Sequence, residues 1–283
     1  MCKFTVILPA KNEAETVSGV VKKIVGIYPN AEVIVVNDGS SDDTAVLASA
    51  AGATVISHPY SKGNGASIKT GARAATSDII VFMDADGQHD PADIEGLVAE
   101  IECGYDLVVG ARQVGSQASF GRGLANGFYN KLATYMTGHR VEDLTSGFRA
   151  VRANKFKEFL YLLPNGFSYP TTSTMAFFRA GYSVKYLPIH AAQREGKSHI
   201  KPLKDGVRFL LIIFKVGTLY SPLKLFTPAA AMFFMFGFVW YGYTFYTMTR
   251  FTNMSALLFT SGFILFMMGL ISEQITSLMY KNS

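Results

Sequence analysis

The stretch "IIVFMDADGQHDP", residues 79–91, decides how the chain is read. Ile79 to Met83 is a short continuous apolar run, the length of a strand buried on both faces. Asp84, Asp86, Gln88, His89 and Asp90 then crowd together. Bunched carboxylates repel one another unless a cation or a bound ligand offsets the repulsion. Either the loop is acidic and left to solvent, or it is a metal site at the end of a buried strand.

Working outward, similar apolar runs occur at Thr5–Leu8, Val33–Val36, Thr54–Ile56 and Leu107–Val109. Helical patterns lie between them. In Ala14–Ile24, Val17, Val20, Val21 and Ile24 share one face. "SSDDTAVLASAAG" sets Ser40 and Asp43 at capping-box spacing and stops at Gly52. Strands alternating with helices predict a mostly parallel sheet covered on both faces. Ligands then bind beyond the carboxyl ends of the strands, and the polar clusters fall there. They are "PAKNEAE", "NDGSSDDT", "SHPYSKGNGAS", the acidic stretch, and "GAR" with Arg112. In the third cluster, Lys62 and two glycines before a helix suit phosphate oxygens. Loops are polar anyway, but five such clusters on one edge are hard to assign to solvation.

In extended backbone, Asp84, Asp86 and Gln88 would share a side and present only oxygen ligands. That set suits Mg²⁺ or Mn²⁺, which keeps waters and completes its shell from substrate phosphates. His89 reads as a supporting residue, and Asp90 before Pro91 as a helix cap.

Charged residues make up only 17% of the 283-residue chain and hydrophobic ones 49%. Part of the protein is therefore expected outside water. Leu225–Thr249 and Phe251–Ser272 carry no charge, and each is long enough to cross a bilayer. Two buried core helices are the alternative. Only Arg250 and its neighbours separate the segments, so they should form a hairpin. Lys215, Lys224 and Lys281 flank its outer ends, which predicts cytosolic termini and a cytosolic catalytic domain on the cytoplasmic membrane. Before it, "IKPLKDGVRFLLIIFKVGTLYSP" puts Lys201, Lys204, Arg208 and Lys215 on one stripe. Such a helix lies in the membrane interface or packs on the domain. From Arg194 to Lys224 there are seven basic residues and two acids, a bias pointing to anionic headgroups rather than nucleic acid. Cys2 and Cys103 offer neither a disulfide framework nor metal-ligand spacing. The expected divisions are 1–195, an amphipathic segment 196–224, and membrane helices 225–249 and 251–279. The last two offer a surface for homo-oligomer formation.

"PAKNE", "VVNDGSSDDT", "DADGQHDP", "VVGAR" and "DLTSGFRAVR" occur in this order across about residues 4–200. In these the chain resembles glycosyltransferase family two, and within it the dolichyl- or polyprenyl-phosphate sugar synthases. The resemblance implies a GT-A (Rossmann-like) fold, a divalent metal, a nucleotide-sugar donor such as GDP-mannose or UDP-glucose, and a lipid-phosphate acceptor. It implies that Pro9, Asn12, Glu13 and Asp38 hold the nucleotide, joined on the donor side by Lys62, Asp84 and Ser146. Asp84, Asp86 and Gln88 would hold the metal and donor. Arg112 would meet the acceptor phosphate, with Arg122 and Asn126 at the spacing of a second arginine and a small polar residue. Asp143 falls where relatives carry a carboxylate near the donor sugar; a turn cap is the alternative. Asp86, Arg112 and Asp143 are thus the candidate catalytic residues.

Three departures stand out. The first aspartate of the usual "VVDDGS" is Asn37. The arginine before "G-x-S-K" is Gln193, which Arg194 would replace. His199 holds the lysine's place, leaving Lys197 or Lys201, beside Ser198, to meet the phosphate. The expected reaction is a single inverting displacement by the acceptor phosphate, giving a β-linked lipid-phosphate sugar. Two readings compete with it. A processive polysaccharide synthase needs more membrane helices and a Gln-x-x-Arg-Trp motif, yet the single Trp is Trp240. An inactive lipid-phosphate-binding adaptor would not need Asp84, Asp86, Gln88 and Arg112 intact.

Overall fold

A computed structural model describes residues 3–112, 120–166, 168–189, 217–218 and 220–281. The chain divides into two compact units, 1–200 and 201–283. The first is built on a seven-stranded sheet in the order β3-β2-β1-β4-β6-β5-β7. Its strands are β1 (Phe4–Ala10), β2 (Glu32–Asn37), β3 (Thr54–Ser57), β4 (Ile79–Phe82), β5 (Leu107–Arg112), β6 (Arg149–Arg152) and β7 (Val184–Ile189). All five predicted strands are present, with ends shifted by up to three residues, and all five point the same way. Their carboxyl ends therefore share one rim, as the polar clusters require.

Helices cover both faces: α1 (Val17–Ile27), α2 (Thr44–Ala50), α3 (Asn64–Ala74), α4 (Ile94–Glu102), α5 (Phe120–Thr137), α6 (Ala153–Lys157) and α7 (Tyr169–Arg179). On one face Val17, Val20, Val21 and Ile24 of α1 and Ile94, Leu97, Val98 and Ile101 of α4 pack against Val6, Leu8, Val81 and Val108. On the other, Phe82 of β4 meets the Phe156 ring of α6 at 4.7 Å. Helix α1 begins at Val17 rather than Ala14 because residues 14–16 form a turn tied to the next loop. There the Ala14 N–H donates to Asp42 (3.2 Å) and the Glu13 N–H to Thr44 Oγ1 (2.9 Å). The expected Ser40–Asp43 box is not used. Asp42 accepts from the Thr44 N–H, while Ser40 Oγ accepts from the Asn12 N–H.

Two strands were not expected. β6 runs antiparallel between β4 and β5, and β7 extends the edge beside β5. Because β6 is reversed, its amino end lies at the rim where the parallel strands finish. The segment leading into it is thereby brought to the site.

The second unit holds α8 (Pro222–Met248) and α9 (Asn253–Lys281). Both are long and apolar enough to cross a membrane. Only 11% and 17% of their apolar windows are buried, which excludes core helices of a soluble domain. They pack as a hairpin. A Cβ on Gly237 would lie 3.0 Å from the Phe259 ring, and one on Gly262 would lie 3.2 Å from Phe234. Small residues that let helices approach closely suit association in lipid. Glu273 of α9 accepts from the Leu223 N–H in the first turn of α8, at 3.3 Å. It thus satisfies one of the donors that a helix start leaves open. The predicted amphipathic helix lies almost entirely outside the described residues.

Candidate active site

The rim is knitted from loops that hold one another. Asn12 adopts a left-handed conformation (φ 55°), and its side-chain oxygen accepts from the Ser41 N–H at 2.9 Å. This locks the loop after β1 to the loop after β2. Pro9 stands in β1 opposite Val36. Asn37, the departure from an aspartate pair, donates to Ser57 Oγ (3.2 Å) and accepts from the Ser40 N–H (3.1 Å). Its amide bridges the ends of β2 and β3 in a way that needs both a donor and an acceptor.

Asp38 is almost wholly buried, and both of its oxygens are engaged. His58 Nδ1 lies 2.8 Å from Oδ1, the Lys62 N–H donates to Oδ1 (2.8 Å), and Ser61 Oγ (2.7 Å) and the Gly63 N–H (2.9 Å) donate to Oδ2. Burial pushes the carboxyl up, but the bonds from His58 and the 61–63 loop outweigh it and hold it down at about 2. The side chain anchors the loop that carries Lys62. That loop is not the open phosphate cradle its glycines suggested. The Gly65 and Ala66 N–H groups at the start of α3 donate to the carbonyls of Gly166 and Asn165. A Cβ on Gly65 would run into the Pro164 carbonyl, so the glycines serve close backbone packing. Lys62 itself is exposed, its ammonium 5.7 Å above the Tyr60 ring.

After β4 the backbone does not stay extended. Residues 85–86 turn and Gly87 takes φ +74°, so the alternation of Asp84, Asp86 and Gln88 does not by itself align them. Gln88 instead folds back on Asp86. Its backbone N–H donates to Oδ1 (3.1 Å) and its amide nitrogen to Oδ2 (2.6 Å). Asp84 stands against the next turn, where a Cβ on Gly147 would lie 3.1 Å from its Oδ2. Among the described residues no three His, Cys, Asp or Glu side chains converge as a closed metal cage. Two carboxylates and an amide fit another kind of centre, in which hard oxygen donors hold a cation whose remaining positions belong to water and substrate phosphate. His89 is stacked on Phe148 with centroids 5.0 Å apart. Burial lowers its pKa to about 4, so the ring is neutral at pH 7. Asp90 caps the turn at Pro91, accepting from the Ala92 N–H at 2.9 Å, as expected.

A forked ion pair at the rim joins residues 31 positions apart. Arg112, the last residue of β5, makes a forked pair with Asp143: Nε to Oδ2 at 2.8 Å and Nη2 to Oδ1 at 3.0 Å. Nη2 also donates to Thr145 Oγ1 at 2.6 Å. The Thr145 and Ser146 N–H groups both donate to Asp143 Oδ1. Asp143 therefore caps a turn and also orients the arginine. Burial works against its charge, yet Arg112 keeps its carboxyl below the usual carboxylate range. Ser146 is buried, with its hydroxyl directed at the Phe148 carbonyl.

Of the other acceptor-side expectations, Arg122 and Asn126 fall in α5, and their side chains lie outside the described residues. Arg194, Lys197 and Ser198 also lie outside them. The sequence reading gave no role to His58, Thr145, Tyr169 or Arg149. His58, Thr145 and Arg149 all lie inside the quoted motifs. Arg149 carried a signal of its own, an arginine entering an apolar strand.

The chain is similar to known glycosyltransferases in both sequence and fold. Residues 5–160 match Glycosyl transferase family 2, and residues 221–278 match the GtrB C-terminal hairpin. An uncharacterized glycosyltransferase of Mycobacterium tuberculosis is 41% identical over 109 residues, 38% of this chain and 48% of that protein. Undecaprenyl-phosphate 4-deoxy-4-formamido-L-arabinose transferase of Enterobacter sp. is 29% identical over 205 residues, 68% of this chain and 61% of that one. The chain thus spans less than two thirds of the curated relatives it matches. Among solved structures, glucosyl-3-phosphoglycerate synthase from M. tuberculosis with phosphoglyceric acid aligns with TM-score 0.61 at 24% identity. That alignment covers 76% of this chain and 79% of the other. The same enzyme with Mg²⁺ and UDP aligns with TM-score 0.59 at 25% identity, over 75% and 79%. With more than half its length matched and the GT-A-like sheet in place, the chain belongs to glycosyl transferase family 2.

Proposed function

We propose that this glycosyltransferase moves a hexose from a nucleotide sugar of the GDP-mannose or UDP-glucose type to a polyprenyl phosphate, with inversion, releasing the nucleoside diphosphate. The observation that carries the reading is the presence, in one chain, of a family 2 rim and a membrane-spanning hairpin of the GtrB kind. The Enterobacter relative, whose name specifies an undecaprenyl-phosphate acceptor, supports it over two thirds of the chain.

The acceptor's phosphate oxygen forms the new bond to the anomeric carbon as the bond to the diphosphate breaks, and the electron pair leaves with the diphosphate. That oxygen is already ionised near pH 7, so no strong base is needed. A carboxylate held as low as Asp143 is poorly suited to accept a proton, and its task is to present Arg112. The Arg112 fork, with Arg122 and Asn126 and the 194–198 segment, would clamp the lipid phosphate. Pro9, Asn12, Glu13, Asp38 with its loop, Lys62 and Ser146 would frame the nucleotide sugar. Asp84 and Asp86, with Gln88 beside them, would hold Mg²⁺ or Mn²⁺, which when bound neutralises charge on the departing diphosphate. The structural neighbour solved with Mg²⁺ and UDP supports a divalent cation alongside a nucleoside diphosphate. The basic flanks Lys215, Lys224 and Lys281 favour cytosolic termini and a cytosolic site.

The test incubates the full-length protein in bilayers with radiolabelled GDP-mannose or UDP-glucose, a short polyprenyl phosphate, and Mg²⁺ or Mn²⁺. Label should pass into the lipid extract with one donor. Asp86→Ala should lower the rate by about a hundredfold or more with little change in thermal unfolding. Near-normal turnover in that variant would sink the metal assignment, and no lipid product with any nucleotide sugar would sink the acceptor.

A further inference from the structure

Arg149 begins β6 at the rim and is fully buried. Its guanidinium is held by neutral groups. Nε and Nη2 donate to the Ser146 carbonyl, and Nη1 donates to the Pro170 carbonyl (2.9 Å), Ser173 Oγ (2.9 Å) and Thr174 Oγ1 (3.0 Å). The cation lies 5.8 Å from the centre of the Tyr169 ring, whose hydroxyl donates to the Gly147 carbonyl. Among the described residues no carboxylate lies within ion-pair distance of it.

A buried charge without an adjacent counter-charge is costly even when fully hydrogen-bonded. If only hydrogen bonds were wanted, a neutral amide could serve the turn at lower cost. Among the described residues, Asp143 and Asp84 lie within electrostatic reach of Arg149. Asp143 is matched by Arg112 at 2.8 Å, and the Arg112 charge also acts on Asp84, so Arg149 adds to a positive field already present there. Asp84 abuts the Gly147 backbone that the Arg149–Tyr169 pair holds.

We propose that Arg149 is a positioning residue of the transfer site whose buried charge, beyond its hydrogen bonds, sets the potential at the rim. It offsets the Asp84 side of the site before a cation arrives and adds positive potential where a diphosphate then lies. The inference rests on the site assigned above. It predicts effects of opposite sign on a cation and an anion, because one buried positive charge repels the first and attracts the second. A residue that merely propped up the 143–147 turn would, when removed, weaken both.

The experiment uses full-length protein in nanodiscs at fixed pH and ionic strength. Mn²⁺ alone is titrated by the electron paramagnetic resonance of the free ion. The nucleoside diphosphate that the unaltered enzyme binds, UDP or GDP, is titrated by equilibrium dialysis at saturating Mn²⁺. Arg149→Met should bind Mn²⁺ about threefold tighter or more and the nucleotide weaker by a similar factor. Arg149→Gln should do the same and serves if the Met variant does not fold. Arg149→Lys keeps the charge and should leave both affinities within about twofold. Weaker binding of both ligands by the Met and Gln variants, or unchanged binding of both, overturns the charge role. Asp86→Ala separates this failure from that of the site itself. If it leaves Mn²⁺ binding intact, the metal assignment falls and takes the inference with it. If it abolishes Mn²⁺ binding while the Arg149 variants weaken both ligands, only the inference falls.

Discussion

At the scale of single residues, several rim side chains have their charge already committed to the protein. Asp38 shows this most clearly, with four partners around one buried carboxylate. Its folded-state pKa of about 2 lies below the ordinary 3.8. The folded protein therefore binds fewer protons than the unfolded chain between these values. The stabilisation is full above pH 3.8 and is lost as the pH falls through about 2. At pH 7 it amounts to about 2 kcal/mol. Asp38→Asn should lower the thermal midpoint at pH 7, and its deficit relative to the unaltered protein should shrink as the pH is taken from 4 towards 2. A deficit that stays constant with pH would show that hydrogen-bond geometry alone, and not the charge, holds the 58–63 loop.

At the scale of elements, the five parallel strands were readable because each is a continuous apolar run ending in polar residues. β6 was hidden, because four residues bounded by Arg149 and Arg152 look like a charged loop until both neighbouring strands are known. β7 was hidden by its half-exposed edge position and by Pro188. The chemistry of the site was legible in residue types but not in pairings. Nothing in the sequence joins Arg112 to Asp143, and the glycines at 63 and 65 read equally well as a phosphate cradle and as packing. The structure decides that last case, since the α3 amides are spent on the 165–166 carbonyls. Gly65→Ala should therefore cost roughly 1–3 kcal/mol of stability, visible as a lower thermal midpoint. Bound nucleotide should not restore it, whereas substantial rescue by nucleotide would return the loop to phosphate binding.

At the scale of the whole molecule, the two units have separate cores and divide the work between them. The sheet unit carries every residue assigned to donor and metal, and under the proposed function the hairpin would keep the enzyme in the bilayer with its polyprenyl phosphate. Damage to helix packing in the second unit should then impair transfer without impairing donor-side binding. Gly269 offers the cleanest place to test this, because a Cβ there would lie 2.9 Å from Phe226 Cβ. A leucine at that position would force α8 and α9 apart. Gly269→Leu should leave Mn²⁺ affinity within about twofold, since no residue assigned to the cation changes. Transfer to a bilayer-embedded acceptor should fall roughly tenfold, the scale of loss expected when the partners of a displacement are misplaced. Transfer to a short, water-soluble acceptor should fall much less, because that acceptor does not depend on the membrane for its position. Equal losses with both acceptors would mean that the hairpin supports the fold of the sheet unit itself, and the division of labour would fail.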